Sequence, residues 1–141
     1  MATFEDYPAV ARLGMEALRA DPIKGQRPSW EKVDKLAQEV VVDPNNYSAV
    51  YEHEGEIVGA VSVLVHPAMV FERHQASVVQ FYCKKQGKGI WLLKHFLKWA
   101  RAQRKIKSIV FTLETGADER IGKLLERLGL SSEMPVFVEW R

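Results

Sequence analysis

Between Ala76 and Leu113 the chain runs through a strand, a glycine turn, a helix and a second strand without interruption, and this order limits the fold more than any other feature. "ASVVQFYC" has the β-branched and aromatic content of a strand. "QGKGIW" brings two glycines to the junction, and "WLLKHFLKWARAQ" then places Leu93, Phe96, Leu97 and Ala100 on one helical face. "SIVFTL" returns to a strand pattern. A helix between two strands lets them lie side by side in parallel, and such crossovers are right-handed. The window therefore predicts a βαβ unit, whose ligands collect at the carboxyl ends of its strands.

Upstream, "TFEDYPAVARLGMEAL" predicts a helix carrying Val10, Leu13, Ala17 and Leu18 at helical spacing, with Thr3 as N-cap and Glu5 and Asp6 in the first turn. The prolines and glycine of "ADPIKGQRP" stop it. "SWEKVDKLAQEVVVD" predicts a second helix, capped by Ser29, with Val33, Leu36, Ala37, Val40 and Val41 on its apolar face. "YSAVYEH" and "IVGAVSVLV" flank "EGE" and predict a β-hairpin. "HPAMVFERH", from His66 to His74, has no clean period and predicts a loop, which we assign to acceptor contact. Downstream, "DERIGKLLERLGL" predicts a helix through Ile121, Leu124, Leu125 and Leu128 with Gly129 as its C-cap, and "PVFVEW" a final strand. A chain of 141 residues of this kind is expected to form one domain, residues 1–141.

The formal net charge of +2 hides an asymmetry: no Asp or Glu occurs from Arg73 to Leu113, a window holding ten of the twenty Lys and Arg residues. That part of the molecule suits an anion. The longest apolar runs fall well short of the ~20 residues of a membrane span, and the N-terminus is acidic where a signal peptide is basic, so neither insertion nor export is expected. Cys83 is the only cysteine, which excludes an intrachain disulfide and a thiolate-rich zinc site and fits a reducing cytoplasm. His53, His66, His74 and His95 show no metal-ligand spacing, and no metal site is expected.

A helix N-terminus exposes unpaired N–H groups and about half a positive charge, and glycine lets a phosphate approach the backbone closely. Gln86, Gly87, Lys88 and Gly89 form such a junction, with Lys84, Lys85 and Lys88 adding positive field. A plain strand-to-helix turn uses glycine too, so the motif alone leaves both readings open. Lys94, Lys98, Arg101, Arg104 and Lys105 are likewise either the solvated face of the helix or part of the anion site.

The order helix, helix, hairpin, strand, "QGKG", helix, strand, helix, strand resembles the GCN5-related N-acetyltransferase (GNAT) family over nearly the whole chain. It is most similar to the small members that bacteria and tailed bacteriophages encode. The resemblance implies an α/β (α+β) fold: a mixed, largely antiparallel sheet with a splayed parallel pair at about 76–83 and 107–113, helices on both faces, and a truncated first strand. It also implies acetyl-coenzyme A as cosubstrate. The family signature Q/R-x-x-G-x-G/A maps onto Gln86, Gly89 and Trp91, so that amides from Gly87 through Lys88, Gly89 and Ile90 to Trp91 hold the pyrophosphate. Backbone groups of Phe81 and Cys83 line the pantetheine arm, and a bulge at Phe81 frees an N–H for the thioester carbonyl. Trp91 replaces the family's last small residue, and Leu125 stands where many relatives carry a proton-donating tyrosine.

The chemistry expected from this resemblance is acetyl transfer to an amine of a small molecule or protein by direct attack. Phe81 polarises the carbonyl through its backbone, Tyr82 is a candidate acid, and Glu114, at a strand's carboxyl end, is the candidate base. One alternative is a GNAT-fold structural or accessory protein without catalysis. A lesser one is nucleic-acid binding through the acid-free window, disfavoured by the lack of a binding motif. A short sheet edge makes a homodimer an expected partner arrangement.

Overall fold

The computed structural model describes residues 6–20, 29–68, 70–84, 87–111, 119–132 and 139. Thr3, Glu5 and all of the "PVFVEW" strand but Glu139 lie outside them, as do Gln86 and Glu114. Two helices come first, α1 (Tyr7–Ala20) and α2 (Trp30–Val42). Ser29 caps α2 as its sequence requires, its hydroxyl accepting from the Lys32 N–H at 3.3 Å. The strands β1 (Tyr47–His53) and β2 (Glu56–Pro67) follow, joined by Glu54 and Gly55. Both turn residues have positive φ, 52° and 78°, and the mirror-image turn they make matches the twist of a hairpin.

The remaining described elements are β3 (His74–Cys83), α3 (Gly89–Ala102), β4 (Ile106–Phe111) and α4 (Glu119–Arg127). The sheet has the order β1-β2-β3-β4, antiparallel except for the β3–β4 pair, which is parallel as the crossover requires. No described helix is long and apolar enough to cross a membrane.

Each face of the sheet buries its own cluster. Val10, Ala11 and Leu13 of α1 and Ala37 of α2 pack on Ala60, with Val50 and Tyr82 alongside. On the other face Leu92, Phe96, Leu97 and Ala100 of α3 cover Tyr47, Ala49, Val61, Val63 and Ala76. Phe96 and Leu93 are almost fully buried, each worth about 2–3 kcal/mol of apolar transfer. Leu18, expected on the inner face of α1, is 41% exposed, and Ala11 and Met15 are buried instead.

One irregularity decides which side chains face which cluster. Ser62 pairs with Gln80 but Val63 pairs with Val78, so Val79 is an extra residue in β3. Strand side chains alternate, and one inserted residue reverses the alternation beyond it. Val78 lies in the α3 cluster, Gln80 turns to the α1 face, and Phe81 returns to α3. The Gln80 amide donates to Val10 O at 3.2 Å and receives the Ser62 hydroxyl at 3.5 Å, tying α1 to the bulge.

The segment His66–His74 is shorter as a loop than the sequence suggests. β2 runs through Pro67 and β3 begins at His74, leaving only 68–73 between them. His66 bonds Ser77 Oγ at 2.9 Å across the two strands, which is why the hairpin extends this far. At the tip Val70 and Phe71 are 79% and 63% exposed, with the Arg73 guanidinium over the Phe71 ring at 5.2 Å.

Candidate functional site

β3 and β4 are paired only from His74/Ile106 to Val78/Phe111, whereas β3 continues to Cys83. The direction of the backbone groups beyond that point follows from one bond. The Lys84 N–H donates to Val58 O at 2.8 Å, toward β2. In an antiparallel ladder these directions alternate, so Gln80 and Tyr82 also address β2, and Phe81 and Cys83 turn their N–H and C=O groups to the opposite, open side. Two residues that the sequence singles out thus aim their backbones into the same cleft. The bulge itself lies at Val79, two residues before the expected Phe81, and its effect there is to set the parity that points Phe81 into the cleft.

The helix α3 begins at the head of this cleft. Its N-cap position, Lys88, makes no side-chain capping bond, and its first turn has no acidic residue. The positive end of the helix is therefore not neutralised from within its own turn. Gly87 has φ +79°, a conformation that glycine adopts without strain. Gly89 is needed for a different reason: a Cβ there would lie 2.8 Å from Cζ of Phe81. The second glycine thus brings the helix start against the Phe81 ring, which also meets Phe111 edge-on at 5.9 Å.

Not all of the expected positive field is available. Lys84 Nζ sits 3.1 Å from Glu16 Oε2 of α1, so this cation is paired, while Lys88 has no such partner among the described residues. Glu16 and Gln80 are contributions from sequence-distant α1 contacts, and nothing in local spacing announces them.

Trp91 is 54% exposed. Its indole lies along the flank of α3, lining with Tyr51 and His95 an open groove of about 510 Å³ on the β1 side. Tyr82 packs into the α1/α2 cluster, on the face opposite the Phe81 ring. Leu125 is buried at 7% exposure, a packing residue in α4. The C-cap expected at Gly129 is formed, with φ +99° and the Leu130 N–H returning to Leu125 O at 3.0 Å. The connection between β2 and β3 lies at the other end of β3 from the cleft: the His74 N–H bonds Lys105 O just past the C-terminus of α3, and seven steps along the strand, ~23 Å, lead from His74 to Phe81. That loop is too remote to select an acceptor at Phe81. Among the described residues no three His, Cys, Asp or Glu side chains form a metal-holding group.

Solved structures share this architecture. A possible acetyltransferase from Clostridium difficile 630 superposes with a TM-score of 0.76 at 12% identity, covering 99% of this chain and 93% of that one. Ribosomal-protein-alanine N-acetyltransferase from Brucella melitensis biovar Abortus 2308 gives 0.68 at 19% identity, with 99% and 96% covered. An aminoglycoside acetyltransferase from an uncultured soil metagenomic sample, in complex with sisomicin, gives 0.68 at 16% identity, with 99% and 92% covered. No curated protein sequence matches the chain. The acetyltransferase (GNAT) family model matches residues 12–130, taking in both helix layers, the mixed sheet and the glycine loop, and by that match the chain belongs to the GNAT family.

Proposed function

We propose that this protein transfers an acetyl group from acetyl-coenzyme A to an amine, acting as one domain in a reducing cytoplasm. The observation that carries the reading is the aim of the Phe81 backbone into a cleft headed by the N-terminus of α3, where the Lys88 side chain makes no capping bond. Bound there, the thioester supplies the acyl group, and attack by an amine puts negative charge on its carbonyl oxygen. The Phe81 N–H is oriented to receive that charge without side-chain rearrangement. The Cys83 backbone lines the arm, and amides of Gly87, Lys88, Gly89, Ile90 and Trp91, with the Gln86 side chain, hold the pyrophosphate. Lys88 adds the nearby charge.

Glu114 is the proposed base, acting directly or through water. Tyr82, whose ring packs on the α1/α2 face of β3, is the proposed candidate acid. The solved relatives that act on aminoglycosides and on a ribosomal-protein alanine define the two acceptor classes to try first, small-molecule amines and peptide N-termini.

Calorimetric titration with acetyl-coenzyme A, followed by thiol release in the presence of an aminoglycoside and of an alanine-terminated peptide, tests the reading. Binding in the micromolar range is expected, and Lys88→Glu is expected to weaken it about tenfold or more with little change in stability. Binding without release for any amine would favour a GNAT-fold accessory protein, and folded protein that binds nothing would overturn the cofactor assignment.

A further inference from the structure

The outward face of α3 carries two adjacent stripes that the acetyl-transfer cleft does not use. Trp91, His95 and Trp99 follow one another at intervals of four residues. Lys94 and Lys98 run beside them at the same interval, with Arg101 three residues on. Residues three and four apart are neighbours on a helix surface, so Lys94 adjoins Trp91 and Lys98 adjoins His95. The apolar side of the helix is buried in the core, which leaves both stripes outward. Trp91 is 54% exposed, and Lys94, His95, Lys98 and Arg101 are exposed as well. Trp99 is the inner member of its stripe, resting on Tyr47 with ring centroids 4.9 Å apart. The rings open onto the groove whose far wall is Tyr47, Ala49, Val50 and Tyr51.

The cation stripe meets no carboxylate. α3 contains no acidic residue, and among the described residues neither Lys94 nor Lys98 has an ion-pair partner. Glu52, the acid that follows the groove's far wall, pairs with Ile57, whose side chain lies in the α1/α2 cluster; Glu52 therefore turns to the other face of the sheet. Arg101 donates to Leu128 O at 2.6 Å and Lys105 to Asn45 Oδ1 at 3.3 Å, which anchors the C-terminal part of the positive surface and leaves Lys94 and Lys98 for a partner.

Solvation accounts for lysines on such a face, but not for a tryptophan held open among them. Cations answer phosphates, and planar rings answer the faces of unpaired bases; the two in parallel rows match a single strand that turns its backbone to one side and its bases to the other. We infer that this face of α3 binds single-stranded RNA. The spacing agrees: rings four residues apart stand ~6 Å apart along the helix, near the ~7 Å that one base between two rings occupies at ~3.4 Å a step. A duplex keeps its bases stacked on one another and covers the faces that the rings would meet. Tyr51 and His95 bring polar atoms to the lining, which gives a ribose 2′-hydroxyl partners and favours RNA over DNA. No motif of a nucleic-acid-binding fold announces the site, because it arises from helical spacing and from what the core leaves uncovered. It is also separate from the cofactor cleft: the groove lies on the β1 side of α3 and the cleft beside the β3–β4 pair, and β1 and β4 are at opposite ends of the strand order.

Fluorescence anisotropy with a labelled oligouridylate at low salt should give a Kd of about 1–100 µM, with log affinity falling against log salt at a slope of about −2, the value for about three phosphate contacts. Lys94→Glu combined with Lys98→Glu, both at exposed positions, is expected to weaken binding about tenfold or more and to flatten the slope, with the circular dichroism spectrum unchanged. Trp91→Ala should cost about tenfold with the slope kept, since it removes a stacking platform and no charge. Excess acetyl-coenzyme A should leave the oligomer bound, whether or not the protein transfers acetyl groups. Independently, photocrosslinking to an iodouridine oligomer, located by peptide mass spectrometry, should mark Trp91 or His95. That product supports the inference even if the charge-reversed variant misfolds. Absence of binding overturns it, as does binding that survives both changes or is displaced by acetyl-coenzyme A. Tighter binding of a duplex or of an oligothymidylate overturns it too.

Discussion

The C-terminal half of β3 and the whole of β1 both turn backbone groups to a side where pairing with another described strand is absent, and both lie beside α3. At β3 the neighbouring part of the helix is its start, with two glycines, a lysine and no side-chain cap. At β1 it is the flank, with Trp91, His95 and Trp99. An unpaired edge fixes only that something extended can lie along it. What such a side can hold is chosen by what already covers it: partial positive charge and bare backbone at the helix start suit a phosphorylated ligand, whereas at β1 Tyr47, Ser48 and Ala49 are already buried.

The largest expected effect comes from joining the strand to the wrong side chain at the helix start. Gly89→Val adds a branched side chain where even a Cβ meets Phe81 at 2.8 Å. Urea denaturation should show a loss of about 1–3 kcal/mol, with acetyl-coenzyme A binding abolished. If the variant keeps both stability and binding, the helix start is not set by contact with Phe81, and the distinction between the edges fails.

Trp91→Ala probes whether the two edges are separate. The indole faces the β1 groove, so calorimetry should find cofactor affinity changed by less than about threefold. A loss of tenfold or more would place Trp91 in the anion site and merge the two.

A smaller effect sharpens the chemistry of the β1 side. Burial pushes the Tyr47 hydroxyl above its ordinary value of 10.0. Its folded-state value lies above its unfolded one, so this contribution to stability is complete below pH 10 and is lost as pH rises through the folded value. Thermal melts of Tyr47→Phe should match those of the parent at neutral pH to within about 1 kcal/mol and fall less steeply under alkaline conditions. Identical slopes would mean that the buried phenol does not titrate with folding.

The elements that local chemistry fixes were legible in the sequence. Ser29 announces the cap of α2, "EGE" the hairpin turn, Gly129 the end of α4, and the apolar spacing of α3 its buried face. Phe81 and Cys83 entered as a pair through the family resemblance, and the β2–β3 register turns the backbones of both away from β2. Features that depend on contacts between distant segments were not. Val79 carries no glycine or proline to mark the extra residue, and only the register against Ser62 and Val63 reveals it. The pairing of Lys84 with Glu16 joins residues from different elements, as does the bond of Gln80 to Val10, and no periodicity connects them. Pro67 hid the end of β2 because proline usually argues against a strand; here it occupies the strand's final position.

The extra residue in β3 makes the place of a length change matter more than its size. Removing Val79 closes the ladder, with Val78 against Val63 followed at once by Gln80 against Ser62, and leaves the Phe81 ring on the α3 face and its N–H turned away from β2. Removing Phe81 instead brings Tyr82 opposite Val61 and turns its ring into the α3 cluster, and every residue after it changes face. A lineage carrying this fold can therefore lose a codon at the bulge and keep its core, but not two positions further on.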